Sequence, residues 1–546
     1  MRTGMSDPSG RRRAGLLIPL FSCASTNGWG IGEIGDIPAM TAWLAAAGQR
    51  ILQVLPLNEM APGQSSPYSA ISAMAIDPIF ISLRAVPEFA ALGGEASLDG
   101  AERERLDRAR RATRIDHTSV RQLKNASLQR AFDRFVEAEW VLDTERARSL
   151  RSFVAGQAWW IDDYALFRAV HRREGERPWM EWPVDLQLRA PAAIDRARRD
   201  LWREILYWQY LQWLANTQWR DARRDAGAGL HGVELFGDLP FMVDGDSADV
   251  WARQRQFRLD ASVGAPPDAF SATGQEWGMP LYRWDVIAAD DFRWLRDRGR
   301  RSADLYDGYR VDHLVGFYRT YGHPKDGSAA YFTPAREPEQ LALGERVLGV
   351  FREGGAQIIA EDLGTVPDFV RASLNRLKVP GFRVFRWERE WHVEGQPFRD
   401  PADYPAISVA TSGTHDTEPL VVWWENAPEE DRRQVSALPT VQLVTGGVAL
   451  RVEPADASSP SGPSGPFRSA DLDAIVEALF ASGSDVLLLP IQDVFGWRDR
   501  INEPATVSED NWTFKLPWPC DRLDGVPEAR DRQSTLRVWS ERHGRT

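Results

Sequence analysis

Eight short apolar segments recur along this chain of 546 residues, at 15–21, 50–57, 232–241, 309–313, 357–361, 382–387, 407–412 and 485–491. Between the first two, the stretch 33–48 places Ile37, Met40, Trp43 and Leu44 near helical spacing and stops at Gly48, so the opening unit reads β-α-β. Eight strands with intervening helices predict an α/β fold of the TIM (β/α)8 type. A chain of this length could hold several ordinary domains, yet the strands form one succession, which points to a single enlarged barrel over 15–530. The interval 85–230 breaks the repeat. It is rich in Arg, Asp and Glu and helically patterned at Leu206, Tyr210 and Trp213, so it predicts a helical insertion, the largest, between strands 2 and 3 and forming a wall of the cleft. Residues 455–466, dense in Ser, Pro and Gly, read as a flexible loop, and 1–14 and 531–546 as terminal tails.

Three of these segments end in acidic residues: Arg310-Val311-Asp312-His313, Ala360-Glu361-Asp362-Leu363-Gly364 and Gly413-Thr414-His415-Asp416. Chemistry on a barrel takes place at the carboxyl ends of its strands, so carboxylates there can converge although they are distant in sequence. Two carboxyl groups held ~5–5.5 Å apart can break a glycosidic bond with retention, one as nucleophile and one as general acid. Asp312 suits the first role, because Arg310 fixes its position and favours its charged form. Glu361 suits the second, since partial burial near other carboxylates raises its pKa. Asp416, presented by His415, would hold sugar hydroxyls and stabilise the positive charge that develops as the bond breaks. A single Asp after a strand is more often a helix cap or an ion-pair partner, and it is the threefold occurrence that points to catalysis.

Composition excludes several classes. A formal net charge of −12 and a pI near 5.4 give no general attraction to nucleic acid or to an anionic membrane. Only Cys23 and Cys520 are present, which rules out a disulfide framework and favours a reducing, cytoplasmic location. The basic N-terminus followed by 15–21 is too short for a signal peptide and is broken by Pro19. The 8 histidines are scattered without His-x-x-x-His spacing, so no metal site is expected. Most of the 23 tryptophans are read as packing, among them Trp159, Trp160, Trp208 and Trp213 of the helical insertion.

Further motifs complete the pattern: 53–57 (QVLPL), 66–69 (SPYS), 237–240 (GDLP), 246–251 (DSADVW) and 274–278 (GQEWG). Together with the three acidic motifs they make the chain resemble, from about 15 to 515, the amylomaltases, or 4-α-glucanotransferases, of glycoside hydrolase family 77 in the α-amylase superfamily. The resemblance implies a TIM barrel with helical insertions, no cofactor, and transfer of an α-1,4-glucan segment to the 4-hydroxyl of another glucan or glucose by double displacement. Its partners would be maltooligosaccharides or starch- and glycogen-type glucans, with the oligomeric state left open. By the family's motifs Asp312 is the nucleophile, Glu361 the acid/base and Asp416 the stabiliser, while Tyr68, Asp238, Trp277, Arg310, His415 and Asn502 line the sugar site. An α-1,4-glucan hydrolase on the same fold and a catalytically silent glucan-binding protein are the alternatives. Intact Asp312, Glu361 and Asp416 argue against the silent one. Departures from the family pattern fall at Met60–Gln64, at Ala269 where an aromatic is usual, at Thr417-Glu418 and at 500–505, which lacks a glycine. They imply a weaker grip on the acceptor and more hydrolysis.

Overall fold

The computed structural model describes residues 12–229, 231–267, 274–448, 450, 470–504, 506 and 508–546. At its centre eight parallel strands close into a barrel: β1 (Arg13–Leu17), β2 (Ile51–Gln53), β3 (Glu234–Leu239), β4 (Gly308–Val311), β5 (Gln357–Ala360), β6 (Gly381–Val384), β7 (Ser408–Thr411) and β8 (Val486–Pro490). Each overlaps one of the eight anticipated segments. Every strand pairs with its sequence neighbours, and β8 returns to β1 in the register Arg13↔Val486 to Leu17↔Pro490. The strands read as apolar runs because both faces are covered. Ile51, Phe236, Ile359, Phe382, Val384, Val409, Val486 and Leu488 form one cluster inside the barrel, while Leu16, Leu52, Leu235, Leu487 and Leu489 belong to the outer core with the helices. Each such buried side chain stabilises the fold by ~1.5–3 kcal/mol relative to exposure. β1 and β2 approach so closely at Gly15 that a Cβ there would lie 2.3 Å from the Ile51 carbonyl oxygen.

The stretch between β2 and β3 is helical, with Pro87–Ala91, Gly100–Arg111, His117–Phe135, Glu145–Arg173, Pro191–Asp200 and Trp202–Arg224 as its main elements. Asp99 starts the second of these with a capping box shared with Glu102, satisfying two otherwise unpaired N–H groups. Aromatic rings seal the helix contacts: Phe135 meets Tyr210 at 4.9 Å, and Trp160, Trp208 and Trp213 are buried, with Trp159 packed at the edge. The insertion docks on the loop after β3 through Trp182 against Trp251, 5.6 Å between rings, and through Trp179 Nε1, which donates to the Gly245 carbonyl at 2.8 Å.

Three features depart from the sequence expectation. A four-stranded antiparallel sheet, with Gln275–Tyr282, Phe257–Ala265, Thr320–Pro324 and Tyr331–Thr333 in spatial order, grows from the loops after β3 and β4. Its strands were invisible as a unit because they pair across the intervening β4. The expected N-terminal tail ends before Arg13 and Ala14, which are residues of β1. The C-terminal stretch 531–546 is likewise no tail: helix Pro527–Arg542 buries Leu536 and Trp539 against the barrel, and Arg545 donates to the carbonyls of Phe480, Ser482 and Ser484. The Ser-Pro-Gly stretch 455–466 lies outside the described residues. Among the described residues no helix is long and apolar enough to cross a membrane.

Candidate active site

Asp312 and Glu361 are each the first residue past a barrel strand, and the ladder continues through them. The Asp312 N–H donates to Leu239 O at 3.0 Å, and the Glu361 N–H to Val311 O at 3.1 Å. Backbone pairing therefore sets where both side chains leave the barrel rim. Arg310, inside β4 and 4% exposed, lies beneath them. Its guanidinium reaches Asp238 Oδ2 at 2.6 Å, Asp312 Oδ1 at 2.9 Å and Glu361 Oε2 at 3.1 Å. The strand register Asp238↔Arg310 makes the first of these contacts. The buried guanidinium has its charge paired by the carboxylates around it, the condition under which such a cluster is tolerated, and burial leaves two of those carboxyls, Asp238 and Glu361, with raised pKa values.

Glu361 also accepts the His313 backbone N–H at 2.6 Å. His313 itself stands in the left-handed region, at φ +41°, a conformation uncommon for non-glycine residues. Burial pushes the Glu361 carboxyl up to about 7; Arg310 and the His313 N–H oppose the shift, and Asp312 and Asp416 add to it. Burial lowers His313 to about 4, so its imidazole is neutral near pH 7 and offers a ring edge to Trp277, 4.9 Å away and at 89°. Trp277 stands on the antiparallel sheet, half-buried, with Nε1 donating to Gln275 Oε1 at 3.0 Å.

Asp416 lies beyond β7, in the turn that follows Ser412. Its Oδ1 accepts Asn502 Nδ2 at 2.6 Å, and Oδ2 lies 3.2 Å from His415 Nε2. Burial works against its charge, but His415 and Asn502 outweigh it and hold the carboxyl at about 2. His415 is itself raised: burial opposes the imidazolium, and Asp416 more than offsets it. Tyr68, in the loop after β2, stacks on His415 at 5.3 Å and 16°, and its hydroxyl donates to Asp238 Oδ2 at 2.8 Å. Burial pushes Asp238 up to about 6 against the pull of Arg310. The three outer carboxylates remain open to the pocket, with side-chain exposures of 24% for Asp312, 19% for Glu361 and 38% for Asp416.

All nine residues singled out from the sequence thus lie in one connected neighbourhood at the carboxyl ends of the strands. Trp512 and Arg500 were missed. Trp512 backs the stack, 5.8 Å from both His415 and Tyr68, and Arg500 donates to the Asp416 carbonyl. Only the nearness of Arg500 to Asn502 in the chain could have flagged it, and nothing flagged Trp512. Asp362, part of the second acidic motif, turns away from the pocket and accepts the Phe382 N–H at 2.7 Å, which anchors β6. Ala269 lies outside the described residues. Among the described residues no three His, Cys, Asp or Glu side chains cluster so as to hold a metal ion.

Comparison with known proteins places the chain in a family. The family model described as 4-alpha-glucanotransferase matches residues 18–521. The 4-alpha-glucanotransferase of Thermus thermophilus is 32% identical over 541 residues, covering 95% of this chain and 99% of that protein. That of Chlamydia pneumoniae is 30% identical over 506 residues, with 92% and 91% covered. Among solved structures, the amylomaltase from Streptococcus agalactiae in complex with acarbose superimposes with a TM-score of 0.78 at 25% identity, covering 98% of this chain and all of that one. A match over nearly the whole length, on a closed eight-stranded barrel, leaves one assignment: the chain belongs to the 4-alpha-glucanotransferase family, the amylomaltases of glycoside hydrolase family 77, and is a glycosyl-transferring enzyme.

Proposed function

We propose that the chain moves a segment of an α-1,4-glucan to the 4-hydroxyl of a second glucan or of glucose, with Asp312 as nucleophile, Glu361 as acid/base and Asp416 as transition-state stabiliser. The observation that carries this reading is the shared Arg310 nitrogen. Nη2 binds both Asp312 Oδ1 at 2.9 Å and Glu361 Oε2 at 3.1 Å. One shared donor limits those two oxygens to about 6 Å apart, which is compatible with the ~5–5.5 Å separation of retaining carboxyl pairs.

In the first step Asp312 attacks the anomeric carbon while Glu361 gives its proton to the departing glycosidic oxygen, leaving a glycosyl ester on Asp312. In the second, Glu361, now a carboxylate, takes the proton of the acceptor 4-hydroxyl as that oxygen displaces Asp312. A carboxyl poised at about 7 can serve both halves at neutral pH. Asp416, ionised throughout, binds sugar hydroxyls and opposes the positive charge at the ring. Asp238 Oδ1 is buried without a hydrogen-bond partner among the described residues, and the faces of Tyr68 and Trp277 suit the apolar sides of pyranose rings.

Incubation with maltotriose tests the reading. Transfer yields a ladder of longer and shorter oligosaccharides with the number of reducing ends conserved, whereas hydrolysis creates new ones. Asp312→Asn should abolish both products while still binding maltooligosaccharide, since the amide keeps the shape but cannot form the ester. A loss of only a few-fold would remove Asp312 from the nucleophile's role.

A further inference from the structure

Asp416 is held differently from the other two carboxylates. The backbone N–H groups of Asp312 and Glu361 lie in the barrel ladder, whereas that of Asp416 donates to Thr414 Oγ1 at 3.2 Å, within its own turn. A small gap of about 10 Å³ lies against the turn, lined by Thr414, His415, Thr417, Glu418, Asp493 and Arg500 among others.

Arg500 spans this gap. Its Nη2 donates to the Asp416 carbonyl oxygen at 2.5 Å and its Nε to the Asn502 carbonyl oxygen at 2.7 Å. Asn502 in turn gives its N–H to His415 O at 3.2 Å and its side-chain amide to Asp416 Oδ1 at 2.6 Å. One guanidinium thus ties together the peptides of two residues whose side chains face each other. With the Asp416 carbonyl held by Arg500 and its N–H held by Thr414 Oγ1, the peptides on both sides of its Cα are fixed, and with them the direction of its Cα–Cβ bond. We infer that Arg500 is a positioning residue for the third carboxylate, holding Asp416 and Asn502 in the one register in which the carboxylate points into the sugar pocket. This rests on the reading of Asp416 as the transition-state stabiliser. Arg500 touches no reacting atom. The two bonds leave from different nitrogens of one rigid planar fork, Nε and Nη2, a spacing that a compact lysine ammonium on a flexible stem does not reproduce. The side chain is 34% exposed, so its replacement leaves no large buried void.

The test measures kcat and KM for maltotriose disproportionation, and turnover of α-glucosyl fluoride, in Arg500→Gln, Arg500→Lys and Arg500→Ala. A misplacement on the order of 1 Å costs ~100-fold, so kcat should fall by ~10–100-fold with KM changed little and the unfolding midpoint retained. Lysine should restore only part of the loss. Guanidinium at low millimolar concentration should raise the rate of Arg500→Ala and leave the wild type unchanged. In the Asp416→Asn background, Arg500→Gln should add no further loss on α-glucosyl fluoride, because the group it positions is already disabled. Wild-type kcat in Arg500→Gln, or a multiplicative loss in the double variant on α-glucosyl fluoride, would overturn the inference while Asp416→Asn alone keeps only its low residual rate. Near wild-type activity in Asp416→Asn would overturn the reading of Asp416 instead. If Arg500→Gln does not fold, the kcat and KM of Arg500→Lys decide: full activity overturns the proposal.

Discussion

At the scale of single residues, the site separates its carboxyl groups by environment. Glu361 is raised to about 7 by burial with neighbouring carboxylates, whereas Asp416 is held at about 2 because His415 and Asn502 outweigh its burial. The two therefore carry different charges across the neutral range, as acid and electrostatic roles require. The sign of the pH dependence follows. A raised carboxyl keeps its proton up to its own pKa and loses it above, so donation to the leaving oxygen fails on the alkaline side. With maltotriose, kcat/KM should decline above about pH 7, by up to tenfold per unit, as initial rates over roughly pH 5–9 would report. Glu361→Gln should lower turnover by ~10²–10⁴-fold, the usual contribution of a positioned acid/base. Activity of that variant near wild type would exclude Glu361 from the mechanism. His313, lowered to about 4 by burial, contributes its N–H and its ring edge and no titration in this range.

Elements are tied to one another by buried polar contacts as well as by apolar faces. His171, on the long helix Glu145–Arg173, is fully buried and spans two carboxylates: Nδ1 lies 2.8 Å from Glu176 Oε2 and Nε2 lies 3.0 Å from Asp246 Oδ2, with Arg168 also on Glu176 at 3.1 Å. Asp246 belongs to the loop after β3, so this histidine joins the insertion to the catalytic face. Burial opposes its charge, yet the hydrogen bonds to Asp246 and Glu176 more than offset that, and its pKa is raised. A histidine raised in the folded state contributes stability fully below its unfolded pKa of ~6.5 and loses it as pH rises through the folded value. His171→Gln should therefore lower the unfolding midpoint more at about pH 6 than at about pH 9, in thermal melts followed by circular dichroism. An equal loss at both would show that His171 acts by packing alone.

Across the whole molecule, barrel closure depends on the end of the chain. Helix Pro527–Arg542, which follows β8, packs beside the turn after helix Ile37–Ala46, where Gln49 Nε2 donates to Ser540 Oγ at 3.0 Å, and beside helix Ala470–Phe480, where Trp539 meets Phe480 at 5.7 Å. Arg545 then satisfies the carbonyls that precede β8. The helix thus spans the seam where β8 meets β1, which chain continuity does not join. Leu536, fully buried there, should cost ~2–5 kcal/mol when changed to Ala, read as a shift in denaturant midpoint, with kcat at 25 °C unaltered because the site lies at the other end of the barrel. A shift near zero would mean that the helix is not part of the cooperative unit.

Much of this architecture is already written in short-range pattern. Apolar runs bounded by turn residues marked all eight strands, and an acidic residue directly after a run marked Asp312 and Glu361, because the direction of a side chain at a strand end depends on the strand alone. What pattern could not supply is whatever depends on closure. Arg310 serves Asp238, Asp312 and Glu361 only because β3, β4 and β5 lie side by side. The left-handed turn at His313 presents its N–H to Glu361, a residue from the neighbouring strand end. Trp512 and Arg500 reach His415 and Asp416 across a stretch of chain that carries no local trace of the contact. The C-terminal helix reads as a tail for the same reason: its charged face is visible in the sequence, while the surface that buries it joins residues of both ends of the chain, Gln49 and Phe480 among them. Local sterics and periodicity act over a few residues, whereas these contacts form only once the first and last strands have met.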